Sequence, residues 1–168
     1  MAYNDNFKHA DDVIAELNNY VPTIKDPLIQ SKYVGFVSVV AVTVYEMAIK
    51  EIFITFANNK DEVFGNFIES FFYRINGQIK VKCIEDKYLS KFGKKYVDGF
   101  DEKLEIKANQ YMITNKRNFK SQYNNLIVWR NAFAHEGKIN QNATFSEVVQ
   151  AYDDGKEVIN CLAESMKR

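Results

Sequence analysis

Both prolines of this chain, Pro22 and Pro27, lie near its start, and only seven glycines interrupt its 168 residues. Pro and Gly are the strongest local punctuation a sequence has, so their scarcity leaves long unbroken segments. Period-two alternation of β-branched residues, the mark of a half-buried strand, is scarce too, and what remains is the three- and four-residue spacing of helices. The expectation is an all-α fold, a small helical bundle. About 100 to 200 residues is the usual span of one hydrophobic core, so residues 1–168 are read as a single domain. Apolar residues make up 46% of the chain and aromatics 14%, which supplies an interior and argues against disorder.

The elements follow from caps and stripes. A first helix is predicted from Asp5 to Tyr20, with Val13, Ile14 and Leu17 turned inward, stopping before Pro22. The second opens at Asp26, a good N-cap, with Pro27 at the first helical position where a missing N–H costs nothing. It runs to about Asn58. Its portion from Val34 to Tyr45 is apolar nearly all round, so it needs cover on most sides, as a central bundle helix or at a subunit interface. That portion falls short of the roughly 20 apolar residues that span a bilayer, and it leaves Glu46 inside an apolar helix. A third helix, about Asp61 to Asn76, is expected to bury Phe64, Phe67, Ile68, Phe71, Phe72 and Ile75, with Gly77 ending it. Between Gln78 and Asn109, short helices and loops are expected, broken at Gly93 and Gly99. A further helix covers roughly Lys116 to His135, with Gly137 where a left-handed cap is wanted. The last begins at a capping box, Thr144 with Glu147, and continues as a stripe of Phe145, Val148, Val149, Tyr152, Ile159, Leu162 and Met166.

Net charge is zero, but it is unevenly spread: residues 74–120 hold twelve basic against six acidic side chains, whereas residues 1–73 hold five against ten. A basic stretch is often a solvated face, and this one permits RNA without demonstrating it. Cys83 and Cys161 stand far apart with no CxxC or His-rich neighbourhood, so reduced, buried thiols are expected rather than a disulfide or a metal site. Met1 to Lys8 is polar and lacks the apolar core of a signal peptide, so the expected location is the cytoplasm, without a membrane anchor.

One segment carries chemistry: Trp129, Arg130, Asn131, Ala132, Phe133, Ala134, His135, Glu136, Gly137. Phe119, Tyr123, Leu126, Arg130 and Phe133 follow at spacings of three and four, so Arg130 lies on an otherwise apolar face and demands a partner. Asn131 and His135, four apart, stack on one side, about 100° from Arg130. The three line a shared edge. His135 sits in the last turn, where the helix dipole and Glu136 favour the imidazolium, which suits a proton donor. RNA cleavage without a metal needs a group to take the 2′-hydroxyl proton, one to protonate the leaving 5′-oxygen, and a fixed cation for the phosphorane. One chain offers a single such histidine, since His9 has no comparable companions. Two copies about a two-fold axis would bring two His, two Arg and two Asn to one cleft. The plainer alternative stays open: Arg130 pairs with Glu46 to fix the bundle and His135 caps a helix end. Trp129 and the aromatics from Phe64 to Tyr73 read first as core or interface.

The run Arg130, Asn131, three residues, His135, on the next-to-last helix of a small bundle, resembles the HEPN superfamily signature of Arg, four to six residues, His. The Tyr45 and Glu46 pair on a long apolar second helix, the aromatic-rich third helix and the capped final helix are similar to the prokaryotic RiboL-PSP-HEPN branch, over most of the chain. The resemblance implies a homodimeric, metal-independent endoribonuclease of toxin or antiphage-defence type, with RNA as partner and an antitoxin or other defence-system protein as a further one. It implies Arg130, Asn131 and His135 as catalytic residues, with Glu46 supporting, and no cofactor. The family pattern can extend to a Tyr two residues after the His, modified in some toxins by a partner nucleotidyltransferase; here Gly137 stands at that position, which speaks against that form of control. A non-catalytic nucleotide- or protein-binding module of the same fold is the alternative.

Overall fold

A computed structural model describes residues 2–73, 77–138 and 142–167. A 3-10 turn (Ala2–Asn6) leads into α1 (Phe7–Tyr20), and a second one (Val21–Thr23), carrying Pro22, turns the chain toward α2 (Pro27–Asn58). The Asp26 side chain accepts from the Leu28 N–H, so the predicted cap is made. α3 (Glu62–Phe72) folds back on α2 after an Asp61 cap. A short irregular stretch follows, α4 (Val81–Cys83), a π-helical turn (Ile84–Leu89) and α5 (Ser90–Phe92), and then the long helices α6 (Lys94–Asn115), α7 (Phe119–Glu136) and α8 (Phe145–Ser165). No strand occurs among the described residues, so the fold is all-α.

The 32-residue α2 is the axis of the bundle. It packs against α1, α3, α7 and α8, while α8 also packs on α6 and α7. Its central positions Val37, Ala41, Val44, Tyr45 and Ala48 are buried, which is the cover its all-round apolar sequence requires. Phe36 and Met47 on the same helix remain 44% and 49% exposed. Close approach at two glycines fixes the crossings. A Cβ on Gly35 would stand 2.1 Å from the Phe133 ring of α7, and one on Gly155 would stand 2.6 Å from the Tyr45 hydroxyl. Tyr45 itself is stacked between Tyr123 and Tyr152, with ring centroids 5.4 and 5.8 Å away, and its hydroxyl donates to the Tyr152 carbonyl.

Three expectations are corrected. The region 78–109 is not merely short helices and loops: α6 runs unbroken through Gly99, where an added Cβ would meet nothing within 4 Å. A mid-helix glycine costs about 0.5–1 kcal/mol relative to alanine, which burial of Phe100 and Leu104 offsets. Gly93, at φ +110°, is the break. α3 is shorter than expected and covered on one side only, so Ile68 and Phe72 are buried while Phe67 and Phe71 are 64% and 49% exposed. Ile75 and Asn76, included in that expectation, lie outside the described residues. The seventh helix starts at Phe119 rather than Lys116, because Lys116 takes a left-handed conformation, φ 58°, that closes α6, and Asn118 caps the new helix. The cysteines are free; Cys161 is buried and burial pushes its thiol up to about 12, whereas Cys83 is only partly buried. Among the described residues no helix is long and apolar enough to cross a membrane.

Candidate active site

The C-terminal half of α7 carries the site because its inner face changes character there. Phe119, Tyr123 and Leu126 are buried, and one turn further the same face presents Arg130, whose side chain is 19% exposed. Its guanidinium lies over Gly77, so closely that a Cβ there would stand 2.7 Å from Nη1. Gly77 has φ +76°, a left-handed conformation that also suits glycine. The loop holding Gly77 is anchored next door, where the buried Tyr123 hydroxyl donates to the Ile79 carbonyl at 2.6 Å.

Arg130 Nη1 donates to Asn131 Oδ1 at 2.9 Å and lies 2.9 Å from His135 Nε2. The sequence suggested a shared edge, and the long arginine side chain turns it into a point of convergence. Guanidinium nitrogens are donors only, so in this contact Nε2 is the acceptor. Glu136, the expected local negative charge, is shared with Lys138 at 2.7 Å, and that contact lowers its carboxyl below the ordinary range. His135 is exposed at the end of the helix, and Gly137 closes α7 at φ 64° as its position predicted.

Glu46 approaches from α2. Its Oε1 is 3.7 Å from Arg130 Nη2, an ion pair beyond hydrogen-bonding distance, and that oxygen is buried with no hydrogen-bond partner among the described residues. Burial raises the Glu46 carboxyl above its ordinary value; the Arg130 and Lys50 charges and the Gly77 N–H only partly oppose this. The supporting residue is thus present but holds Arg130 loosely. His9 lies on α1, on the amino-terminal side of the bundle, and takes no part.

Sequence reasoning missed a second Arg–carboxylate pair, between the turn joining α6 to α7 and the helix α8. Asp154 of α8 is 1% exposed and accepts from Arg117 Nε at 2.8 Å, from Arg117 Nη2 at 2.9 Å and from the Tyr111 hydroxyl at 2.7 Å. The hydrogen bond to Asp154 is the main reason the Arg117 guanidinium is pushed above its ordinary value. A signal was available: Asp154 falls three after Ala151 and four before Val158, on the buried face of α8. Other cations of the basic stretch are also spoken for, as Lys103 and Lys107 meet Glu164 and Glu157 of α8 at 3.7 and 3.2 Å. Those three cations brace α6 and the turn after it against α8, whereas Lys80, Lys82, Lys91, Lys95 and Lys116 stay exposed.

An all-helical bundle with Arg, a polar residue and His meeting at the end of its penultimate helix defines a class, and comparison bears it out. The RiboL-PSP-HEPN family model matches residues 5–168, so the chain belongs to the RiboL-PSP-HEPN family. Comparison with curated proteins and with solved structures found no match.

Proposed function

We propose that this protein is a metal-independent endoribonuclease of the toxin or antiphage-defence type, working in the cytoplasm as a homodimer with a composite cleft. The observation that carries the reading is the convergence of Asn131 and His135 on one guanidinium nitrogen of Arg130. Arg130 is the cation for the phosphate. A phosphate oxygen arriving at Nη1 competes with His135 for the same donor and frees Nε2, which then takes the 2′-hydroxyl proton. Asn131 holds the guanidinium in place. The leaving 5′-oxygen needs a second proton-transfer group, and a second copy of the chain supplies it, its His135 acting as the acid. Family membership supports the reading at the level of the HEPN module.

Exposed apolar side chains on the helices that carry the site support dimerisation: Phe36 and Met47 of α2 and Val128 of α7. Among the described residues no group of three or more His, Cys, Asp or Glu side chains could hold a metal, so the reading assigns the nucleophile to the substrate. The expected products are a 2′,3′-cyclic phosphate and a 5′-hydroxyl, formed in excess EDTA, with DNA inert because it lacks the 2′-hydroxyl. Mapping the cut ends tests this: 5′-phosphate and 3′-hydroxyl ends, or activity lost to the chelator, would refute it. RNA left intact while the protein still bound nucleotides or a partner protein would favour the non-catalytic module.

A further inference from the structure

α7 has a second functional-looking face, turned about 100° from Arg130 and carrying Gln122, Asn125 and Trp129 at spacings of three and four. Across from it, α8 brings Glu147 and Gln150, and the segment leading into α8 brings Asn142. Together they line a cavity of about 240 Å³. That is below the roughly 300–1,000 Å³ of pockets that take drug-sized ligands, and it suits one small planar group. Its lining is unusual: amide side chains, an indole and a carboxylate, without a Lys or Arg. Trp129 is only partly buried, so one part of it packs on the core while another faces this space.

The lining selects its ligand by chemistry. A phosphate is disfavoured, because the described lining holds no cation and includes Glu147, whose carboxyl the Thr144 backbone N–H holds below its ordinary range. A neutral planar ring with donors and acceptors on its edge fits, because an indole offers a stacking face and amides offer both donors and acceptors. Trp129 and Arg130 are consecutive on α7 but on faces about 100° apart, so a strand whose phosphate lies at Arg130 reaches the indole by wrapping part of the way round the helix. We propose that this cavity holds one unpaired nucleobase of the bound RNA, stacked on Trp129, its edge read by Asn125, Gln150 and Glu147. The proposal rests on the nuclease reading for its ligand. Glu147 accepts only, and the exocyclic amino groups of adenine, cytosine and guanine offer it two N–H donors against the single N3–H of uracil, so those bases are favoured.

The chain contains one tryptophan, so its fluorescence reports the cavity directly. The His135→Ala variant, unable to cut, is titrated with single-stranded oligo-A, oligo-C and oligo-U, with a duplex RNA, and with free AMP. Expected are quenching by oligo-A and oligo-C, weaker quenching by oligo-U, and none by the duplex, whose bases are not available. Trp129→Ala, which removes the fluorophore and is read instead by the anisotropy of end-labelled oligo-A, should weaken oligo-A binding about tenfold, the scale of one base stacked on an aromatic ring. Asn125→Ala and Gln150→Ala, both on exposed positions, should leave the fold intact and narrow the gap between bases. Glu147→Gln keeps the capping box and should reduce the disadvantage of oligo-U. Unchanged emission with every single strand overturns the proposal, and so does AMP saturating as tightly as oligo-A, which would make a free nucleotide the ligand. Cleavage by the wild-type chain, followed in parallel, separates the two claims. Cutting without quenching removes the base pocket and keeps the nuclease; quenching without cutting does the reverse.

Discussion

Two arginines, one on α7 and one in the turn before it, meet carboxylates from a neighbouring helix, and they are held in opposite ways. Arg117 makes a two-pronged contact with Asp154 at 2.8 and 2.9 Å, and Tyr111 takes up part of what remains of that carboxylate. Arg130 stands 3.7 Å from Glu46, and its Nη1 is instead engaged by Asn131 and His135. A buried carboxylate with its hydrogen-bonding capacity filled has nothing left to offer a ligand, and its arginine is a brace. A guanidinium whose tether is long, and whose best donor rests on an imidazole nitrogen, can exchange that contact for an anion. Under the proposed function, the difference between the two pairs gives one a structural role and the other a chemical one.

Exchanging each arginine for alanine is the strongest way to break this comparison. Arg130→Ala should lower RNA cleavage by at least about 10²–10³-fold, the usual cost of removing a donor that stabilises a developing oxyanion. Its melting temperature should stay close to that of the wild type. Arg117→Ala should do the opposite, because it leaves Asp154 buried with Tyr111 alone. Arg117 is itself about a third exposed, so the loss falls on the Asp154 carboxylate, left buried with one hydrogen bond, and Tm should fall by several degrees. Calorimetry beside a cleavage assay reads both. If Arg130→Ala unfolds the protein and Arg117→Ala does not, the assignments are reversed.

A smaller perturbation works through the surface on which Arg130 lies. Gly77→Ala would put a methyl group 2.7 Å from Nη1 at a residue with φ +76°. The flexible guanidinium can move aside, so the cost in stability is confined to the strained backbone, about 1 kcal/mol. Moving the guanidinium breaks its alignment with His135, and cleavage should fall about tenfold or more, since misplacement of about 1 Å can cost up to 10²-fold. Steady-state kinetics should show the loss mainly in kcat. An unchanged rate would mean that the resting position of Arg130 is not the working one.

How far the sequence reaches differs between these regions for physical reasons. Caps are local chemistry, and Asp26 with Pro27, Thr144 with Glu147, and the Gly137 terminus can be read directly. Arg130 stood out because a charge interrupted an apolar stripe. Asp154 interrupts the stripe of α8 in the same way, yet its partner lies 37 residues away at a turn whose left-handed Lys116 has no compositional mark. The continuity of α6 through Gly99 also depends on distant packing, as tertiary burial overrides a weak local preference. On α3, periodicity could show an apolar run but not that the bundle covers one side of it, leaving Phe67 and Phe71 outside. The meeting of Arg130 with His135 required a rotamer, which spacing does not specify.

The finest test concerns Glu46, where the comparison rests on a weak contact. Burial raises its carboxyl above the ordinary value of 4.5, so the folded state favours the protonated form more than the unfolded state does. The sign follows: its contribution to stability is fully present below about pH 4.5 and is lost as pH rises through the folded value. Once ionised, the carboxylate is held in a place that does not fully compensate its charge. Glu46→Gln keeps the shape and an acceptor oxygen for the Gly77 N–H while removing the charge, so its Tm at pH 7 should equal or slightly exceed that of the wild type. The pH dependence of Tm above pH 4.5 should become flatter. Arg130 loses a weak electrostatic anchor, which amounts to a two- to fivefold drop in cleavage at the scale of about 0.4–1 kcal/mol for a loose pair. Thermal melts across pH 4 to 8, with the cleavage rate at each, make the measurement. Should Glu46→Gln destabilise the fold as strongly as Arg117→Ala, Arg130 and Glu46 would be a second brace, and the guanidinium would not be free to leave His135 for a phosphate.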